Sequence, residues 1–326
     1  MPFTAKVMKH LPVVTSSWLS PFVHTLGLSG APIDNLLDQA KVPRLALEQK
    51  KLLIAEPPLW AFLELSARAG GIDGLGFRSA QSFGIDRLGD FGKMLDRAIN
   101  LKKSVDIFAS ASPISGYGIK QLRREVYFVR RGSGIKRGAW QVEQYIVTIM
   151  VQAVRCIAGP DWTPEEVLLQ VSDPTGIEES HILGRSAIHV GQPFTGIKLS
   201  ENLLAQENFL PTGCDPETND PDWKILSQIL ESYIVDGHPD EEFAAEICNV
   251  SARTLRRRLQ ESGVSFREVL SSALFNKAKR MIADPEKPLI DIAFSLGYKD
   301  HGSFSRAFKS WTGLSPSAYR SYMKSS

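Results

Sequence analysis

An internal repeat in the C-terminal third of the chain limits the folds that are open to it. At an offset of 49 positions the aligned apolar pairs are Ala244 with Ala293, Ile247 with Leu296, Leu255 with Phe304, and Leu259 with Phe308. These spacings place the apolar side chains on one face of a helix, so each copy is predicted to be a short helix, a tight turn and a second helix. This is the outline of a helix-turn-helix, whose second helix can enter the DNA major groove. The alternative is a plain helical bundle with a duplicated hairpin.

The polar face of each second helix favours DNA over the plain bundle. The outward positions are Arg253, Arg256, Arg257 and Arg258 in the first copy, and His301, Ser305, Arg306 and Lys309 in the second. Three adjacent arginines repel one another on a helix surface unless an anion meets them. The planar guanidinium group can also form two hydrogen bonds with guanine O6 and N7.

The charge of the chain is distributed unevenly along its length. Residues 251–326 hold 14 Lys and Arg against 6 Asp and Glu, whereas residues 1–250 hold 24 against 30. A basic end on an acidic body indicates a polyanionic partner, although a basic segment can also be merely solvated.

The C-terminal segment, residues 222–326, resembles the AraC/XylS-type transcription regulators. The resemblance rests on the Ile-Ala-x-x-x-Gly-Tyr run at Ile292–Tyr298, on Phe304 and Phe308, and on Gly-x-Ser-Pro-x-x-Tyr-Arg at Gly313–Arg320. The upstream copy, VSARTLRRRLQESGVSF, matches the first DNA-reading unit of that family. The first region more weakly resembles the effector domain of the ornithine-utilisation and virulence-regulator-like subgroup, through the helix near 141–157 and the Pro160–Val167 stretch.

The resemblance implies which side chains contact DNA. Base edges would be read by Arg253, Arg256 and Arg257 in the first unit and by His301, Ser305 and Arg306 in the second. Phosphates would be contacted by Ser251, at a helix N-terminus, and by Lys277, Arg280 and Arg320, because backbone N–H groups and long cations suit anionic oxygens. For Lys277 and Arg280 a solvated helix face is an equally good interpretation.

The stretch Pro211–Pro221 is the clearest linker, because it is rich in Pro, Asp, Asn and Thr and almost free of apolar residues. It divides the chain into residues 1–210 and residues 222–326. The first region is predicted to be an α+β domain that binds an effector and dimerises. The second is predicted to be an all-α DNA-binding domain with two helix-turn-helix units.

Residue patterns predict individual elements in both regions. In the first region the predicted helices are Ser16–Leu28, Ile33–Ala40, Leu59–Ala69, Phe91–Asn100 and Trp140–Ile157. The predicted strands are Val105–Ser110, Tyr117–Ile119, Glu125–Arg130, Val167–Val171, Ala187–Val190 and Gly196–Lys198. In the second region the predicted helices are Asp222–Val235, Asp240–Ile247, Ala252–Glu261, Ser265–Ile282, Leu289–Leu296, Ser303–Trp311 and Ser317–Met323. The glycine-rich stretch Gly70–Gly76 follows a helix and is predicted to be its C-cap and loop, not a phosphate-binding loop.

Two features of the first region are open to more than one interpretation. The helix Trp140–Ile157 has an apolar stripe that includes Tyr145, and this stripe fits core packing, a dimer face or the wall of a pocket. A basic cluster around a probable hairpin consists of Arg123, Arg124, Arg130, Arg131, Lys136 and Arg137. A solvated hairpin face explains this cluster better than a site for an anionic effector.

The sequence gives no sign of a metal, a cofactor or catalytic residues. Cys156, Cys214 and Cys248 are isolated, which predicts neither a disulfide framework nor a zinc site, and Cys156 is expected to be buried in its helix. No metal-ligand spacing and no nucleophile motif occurs. No apolar run approaches the ~18 residues of a membrane span. We therefore expect no membrane segment and a location in the reducing cytoplasm.

These observations predict a sequence-specific transcription regulator, an activator controlled by a small-molecule effector of unknown identity. Its expected partners are double-stranded DNA, RNA polymerase, as the resemblance implies, and a second copy of the chain in a homodimer. The alternative is an enzyme domain fused to an AraC-type DNA-binding module.

Two modes of control are open for such a regulator. The effector would change dimerisation, or it would release reading helices that the acidic first region shields. Dimerisation is favoured, because attraction between exposed charges is screened within ~8 Å at physiological salt.

Overall fold

A computed structural model describes residues 12–49, 51–83, 89–98, 100–111, 116–122, 124–132, 134, 137–200, 203, 222–234 and 237–325. The chain divides into two compact units, one within residues 12–218 and the other containing residues 219–326. The predicted linker Pro211–Pro221 lies outside the described residues, so the predicted domain boundaries stay a prediction.

The first unit combines helices with two sheets, which confirms the predicted α+β architecture. Its helices are α1 (Ser20–Leu28), α2 (Ile33–Ala40), α3 (Leu45–Glu48), α4 (Glu56–Gly70), α5 (Leu75–Phe83), α6 (Gly89–Asp96), α7 (Leu101–Ala111) and α8 (Ala139–Ala158). Its strands are β1 (Val13–Thr15), β2 (Leu53–Ala55), β3 (Gly116–Leu122), β4 (Glu125–Arg131), β5 (Glu166–Leu168), β6 (Ala187–His189) and β7 (Thr195–Lys198). Short 3-10 helices lie at Ser16–Leu19 and Ile177–Glu179.

The larger sheet has five strands in the order β3-β4-β7-β5-β6. Its strand pairs are antiparallel except β5 with β6, which run parallel. The register places Gly118 opposite Val129 and Val167 opposite Ile197. Strands β1 and β2 form a separate antiparallel pair.

Helix α8 lies at the centre of this unit and is held by buried polar side chains as well as by its apolar ones. The buried Glu143 carboxylate accepts hydrogen bonds from the backbone N–H groups of Gln170 (2.6 Å) and Val171 (3.2 Å), just after β5. The Gln144 amide accepts from Gly76 N–H (2.9 Å) and donates to the Asp73 carbonyl (2.8 Å). These bonds satisfy backbone groups that burial would otherwise leave unpaired, and they join α8 to the first turn of α5 and to the loop before it.

The predicted strand Val105–Ser110 is wrong, because these residues belong to helix α7. The side chains of Leu101, Val105 and Phe108 are all buried, and their spacing of four and three residues matches one face of a helix. The Asn100 side chain accepts a hydrogen bond from Lys103 N–H (2.9 Å), as an N-cap does. A short apolar run such as Val105–Ser110 does not by itself distinguish a strand from a buried segment of helix.

The glycine-rich stretch between α4 and α5 behaves as predicted. Helix α4 ends at Gly70, and Gly71 adopts the left-handed conformation (φ 59°) that closes a helix.

The expectation for Cys156 is wrong. It is exposed, in the last turn of α8, which ends at Ala158.

Two kinds of feature are absent from the described ranges. No helix within them is long and apolar enough to cross a membrane. They also contain no group of three or more His, Cys, Asp or Glu side chains arranged to hold a metal ion.

Every element assigned in the second unit is a helix. The helices are α9 (Asp222–Glu231), α10 (Glu241–Ile247), α11 (Ala252–Glu261), α12 (Phe266–Ile282), α13 (Leu289–Ser295), α14 (His301–Thr312) and α15 (Pro316–Ser325). Side chains cap several of them: Asp240 caps α10, Ser251 caps α11, and Ser265 with Glu268 forms a capping box on α12. Since most of these helices are short, caps and tertiary packing hold them together.

Candidate nucleic-acid interface

Helices α10 and α11 form one helix-turn-helix, and α13 and α14 form the other. The turn of each unit contains one residue with positive φ, Asn249 (54°) in the first and Gly297 (79°) in the second. In each turn the next residue donates a backbone hydrogen bond of 3.0 Å to the first helix. Val250 N–H donates to the Ala245 carbonyl in the first unit, and Tyr298 N–H donates to the Ala293 carbonyl in the second. The two copies predicted from the sequence are therefore equivalent motifs.

The structure corrects the offset of the repeat. The first helices correspond at an offset of 48, because the N-caps are Asp240 and Pro288 and the positive-φ residues are Asn249 and Gly297. The second helices correspond at 49, from their N-caps Ser251 and Asp300. The second turn thus contains one extra residue, and the predicted pairs Ala244 with Ala293 and Ile247 with Leu296 are shifted by one position.

Helix α11 presents an arginine face to solvent. The opposite side is anchored by Leu255 and Leu259, both buried. Arg253, Arg256 and Arg257 are exposed, at spacings of three and four residues that place them on one side of the helix. At the start of α11 the Ser251 hydroxyl accepts from Thr254 N–H (3.1 Å), so this hydroxyl is already used as an N-cap.

Arg256 is held in place by a carboxylate from the preceding helix. Its guanidinium group lies 2.9 Å from a carboxylate oxygen of Glu241, the first residue of α10. The arginine side chain is 58% exposed and the glutamate side chain 18% exposed. This ion pair raises the pKa of Arg256 and ties the reading helix to its partner across the turn. Sequence reasoning missed Glu241, since helical periodicity does not show a contact between residues 15 positions apart.

Arg258 faces the body of the domain, unlike its three neighbours. It is half-buried, and burial lowers its pKa, as does the positive charge of Arg257.

Helix α14 is N-capped and anchored in the core in the same way as α11, but its exposed side chains are different. Asp300 accepts a hydrogen bond from Ser303 N–H (2.7 Å) and so caps the helix, while Phe304 and Phe308 are buried against the core. His301 and Arg306 are exposed and Ser305 is half-buried. The guanidinium group of Arg306 donates to the Ser303 hydroxyl (3.0 Å), which holds it close to the start of the helix.

The other three predicted phosphate contacts interact with groups of their own domain, although the Arg280 side chain is 64% exposed. The Lys277 ammonium donates to the backbone carbonyls of Glu231 (3.4 Å) and Ile234, and Arg280 pairs with the Glu231 carboxylate. Arg320 is half-buried and donates to the Lys287 carbonyl (2.7 Å). Of the four predicted phosphate contacts, Ser251 alone stands beside an exposed arginine face.

Burial lowers the pKa of Lys277, which is the opposite of what a bound phosphate would do. Its position explains the contacts with the carbonyls. A cation at the C-terminal end of α9 satisfies free carbonyl groups and interacts favourably with the helix dipole.

The chain matches two known domain families. The family described as a helix-turn-helix domain matches residues 244–322. The family described as the N-terminal arabinose-binding domain of AraC transcription regulator matches residues 30–208. Together they cover both compact units.

Several curated proteins are similar to parts of the chain. The ornithine utilization regulator of Pseudomonas aeruginosa is 40% identical over 82 residues, 25% of this chain and 24% of that protein. The HTH-type transcriptional regulator VirS of Mycobacterium tuberculosis is 31% identical over 147 residues, 45% of this chain and 41% of that protein. The arabinose operon regulatory protein of Salmonella typhimurium is 28% identical over 94 residues, 28% of this chain and 34% of that protein. The chain therefore spans less than half the length of each of these relatives.

Proposed function

This chain belongs to the AraC family of transcription regulators, and from that premise we propose that it binds specific sequences of double-stranded DNA and regulates transcription in response to a small-molecule effector. The observation that carries the proposal is the pair of helix-turn-helix units. In each, the second helix is N-capped, buries one side in the domain core and exposes arginine on the other. The cations exceed the acidic side chains in this part of the chain, which favours a polyanionic partner.

The geometry supports one set of side chains that contacts bases and another that contacts phosphates. We assign base contacts to Arg253, Arg256 and Arg257 on α11, and to His301, Ser305 and Arg306 on α14. The Ser251 end of α11 is assigned a phosphate, since free N–H groups at a helix N-terminus attract anions. The internal contacts of Lys277 and Arg320 favour structural roles for these two residues. Arg280, which is 64% exposed beside Glu231, stays a candidate phosphate contact.

The wider proposal follows the family. Residues 1–210 bind the effector and dimerise, 211–221 are the linker, and 222–326 bind DNA. The chain acts in the cytoplasm as a homodimer that activates transcription through RNA polymerase. The effector acts by changing dimerisation, which a comparison of sedimentation and operator affinity over a range of protein concentrations would test. Operator affinity that does not depend on dimerisation would exclude this mode of control.

An enzyme domain fused to the DNA-binding module finds no support among the relatives. Each of those named above is a regulator by its description.

The test of the proposed function is selection from a pool of random DNA duplexes by the full chain. We expect one sequence to be enriched, with an affinity that falls steeply as salt rises, because phosphate neutralisation releases counterions. The double variant Arg256→Ala/Arg257→Ala should lose the enrichment. Lys279→Ala, an exposed lysine of α12, is the matched control and should keep it. Failure of the wild-type chain to enrich any sequence above bulk duplex would refute the proposal.

A further inference from the structure

The first unit contains a pocket that opens between its central helix and its sheet. The space between atoms at this pocket is about 430 Å³, and part of it is open to solvent. Its walls come from the N-terminal segment, α4, β3, β4 and α8, and are formed by Val14, Trp18, Phe22, Glu56, Leu59, Trp60, Leu63, Tyr117, Arg130, Val142, Tyr145 and Ile146. All of these belong to the same compact unit.

Aromatic rings dominate the walls. Five of the lining residues carry aromatic side chains, and Tyr145 makes ring contacts with two of the others. Its ring centroid lies 4.9 Å from that of Phe22 and 5.8 Å from that of Trp18, the latter in an edge-to-face arrangement. Such walls are complementary to a flat, largely apolar ring, which gains from burial and from contact with aromatic edges and faces.

The Tyr145 hydroxyl is the polar group in these walls that a ligand would satisfy. The residue is 2% exposed, and its hydroxyl makes no hydrogen bond to any group in the part of the chain that the structure describes. Burial raises the pKa of Tyr145, so the hydroxyl stays protonated and can donate. A buried hydroxyl without a partner is unfavourable, so a ligand hydroxyl placed against it would gain binding energy. A ligand hydroxyl can accept from the tyrosine hydroxyl or donate to it, whereas an ether oxygen can only accept.

The pocket also holds two buried charges of opposite sign. Glu56 is 1% exposed and Arg130 is 4% exposed. Both act on Tyr117, whose pKa is about 12: burial raises it most, Arg130 lowers it and Glu56 raises it. A ligand with a net charge would disturb this balance in a poorly solvated site, which is costly. The charge balance therefore favours an uncharged ligand.

We propose that this pocket is the effector site and that the effector is an uncharged aromatic molecule bearing a hydroxyl group. The inference rests on the proposed regulatory function for the role of the ligand, but not for its binding. A sugar fits less well, because nearly every carbon of a sugar carries a hydroxyl that needs a partner, and most of these walls are apolar. The domain family is described as arabinose-binding, so this assignment departs from what that description suggests.

The test is equilibrium dialysis of the full chain, without DNA, against four probes. We expect 2-naphthol to bind more tightly than its methyl ether 2-methoxynaphthalene, than the anion 2-naphthoate, and than L-arabinose. Tighter binding of 2-naphthoate would overturn the assignment of an uncharged ligand. Binding of L-arabinose without 2-naphthol would replace the aromatic ligand with a sugar, and no binding of 2-naphthol up to its solubility would refute the proposal.

A single substitution tests whether the Tyr145 hydroxyl contacts the ligand. Tyr145→Phe removes a hydroxyl that has no partner in the described structure, so we expect the fold to be kept and the melting temperature not to fall. Loss of one hydrogen bond predicts roughly 2- to 12-fold weaker binding of 2-naphthol. The control is Tyr127→Phe, whose hydroxyl donates to Glu166 (3.0 Å) and does not line the pocket. Equal binding by Tyr145→Phe and wild type would remove Tyr145 from the site.

The outcome separates this inference from the proposed function. If 2-naphthol does not bind while DNA selection succeeds, the pocket assignment fails and the regulator stands. If 2-naphthol binds while no DNA sequence is enriched, the pocket stands and the regulatory function fails.

Discussion

Replacing Lys277 distinguishes a structural lysine from a DNA-contacting one. The variant Lys277→Met keeps the length of the side chain and its apolar stem but removes the ammonium group that donates to the carbonyls of Glu231 and Ile234. Hydrogen bonds that involve a charged group contribute about 1.5–3 kcal/mol. Burial of the ammonium opposes this gain, as the lowered pKa of Lys277 shows, and methionine is free of that cost.

The balance of these effects predicts a net loss of about 1–2 kcal/mol in the free energy of unfolding. For a domain of about 100 residues this corresponds to a fall of roughly 4–16 °C in its melting temperature. Circular dichroism of the full chain, recorded at helical wavelengths, would measure it. Lys279→Met is the matched control on the same helix, since Lys279 is exposed, and it should change stability by less than about 0.5 kcal/mol.

DNA binding supplies the second half of this test. At temperatures where the variant is folded, the slope of log affinity against log salt should equal that of the wild type. A phosphate contact would contribute about 0.9 to that slope. An unchanged melting temperature together with a slope smaller by this amount would refute the structural role and restore Lys277 to the DNA interface.

Three further predictions concern the helix-turn-helix units. Arg256→Ala and Arg257→Ala should each reduce discrimination at a base pair roughly 5- to 150-fold, measured by competition between duplexes that differ at one position. Asp300→Ala should lower the melting temperature while Asp300→Asn keeps the cap. A hydrogen bond from the backbone N–H of Ser303 lowers the pKa of Asp300 below 3.8. The stabilisation that the Asp300 carboxylate gives the domain is therefore present above pH 3.8 and is lost as the pH falls through the lower pKa of the folded state. The Asn variant should lack this acid dependence when stability is measured as a function of pH. Gly297→Ala should lower the free energy of unfolding in urea more than Gly263→Ala does. Both glycines have positive φ, but of the two only Gly297 would bring the added Cβ against backbone atoms, those of Gly237 at 2.9 Å.

The second unit was largely predictable from the sequence because its signals are local. The predicted bounds of α11, Ala252–Glu261, agree with the structure, since Ser251 and Gly263 mark the ends of the helix in chemistry that the sequence shows directly. The one-residue difference between the two turns was not visible, because alanine and aliphatic residues align almost equally well at offsets of 48 and 49.

The roles of charged side chains were harder to predict, because they depend on contacts across the fold. Lys277 looks like any basic residue on a helix until α9 is packed beside it. Arg130 was grouped with a solvated basic cluster, yet it is buried in the pocket wall on β4. Of that cluster, Arg123 and Lys136 lie outside the described residues.

The pocket itself had one sequence signal. The stripe on helix α8 that includes Tyr145 was compatible with a pocket wall, and the structure places Tyr145 in one. What the sequence did not show is the convergence of Glu56, Trp60 and Arg130 on the same space, since long-range packing of α4 against β4 brings them together.

Comparing the base preferences of two single variants tests the central claim most directly. Random-duplex selection would be run with the full wild-type chain, with Arg256→Ala and with Arg306→Ala. Two helix-turn-helix units on one face of DNA predict two blocks of preferred bases about 10 base pairs apart. The account predicts that Arg256→Ala relaxes one block and leaves the other intact, and that Arg306→Ala does the reverse. Equal loss across both blocks in either variant, or preferences unchanged in both, would contradict it.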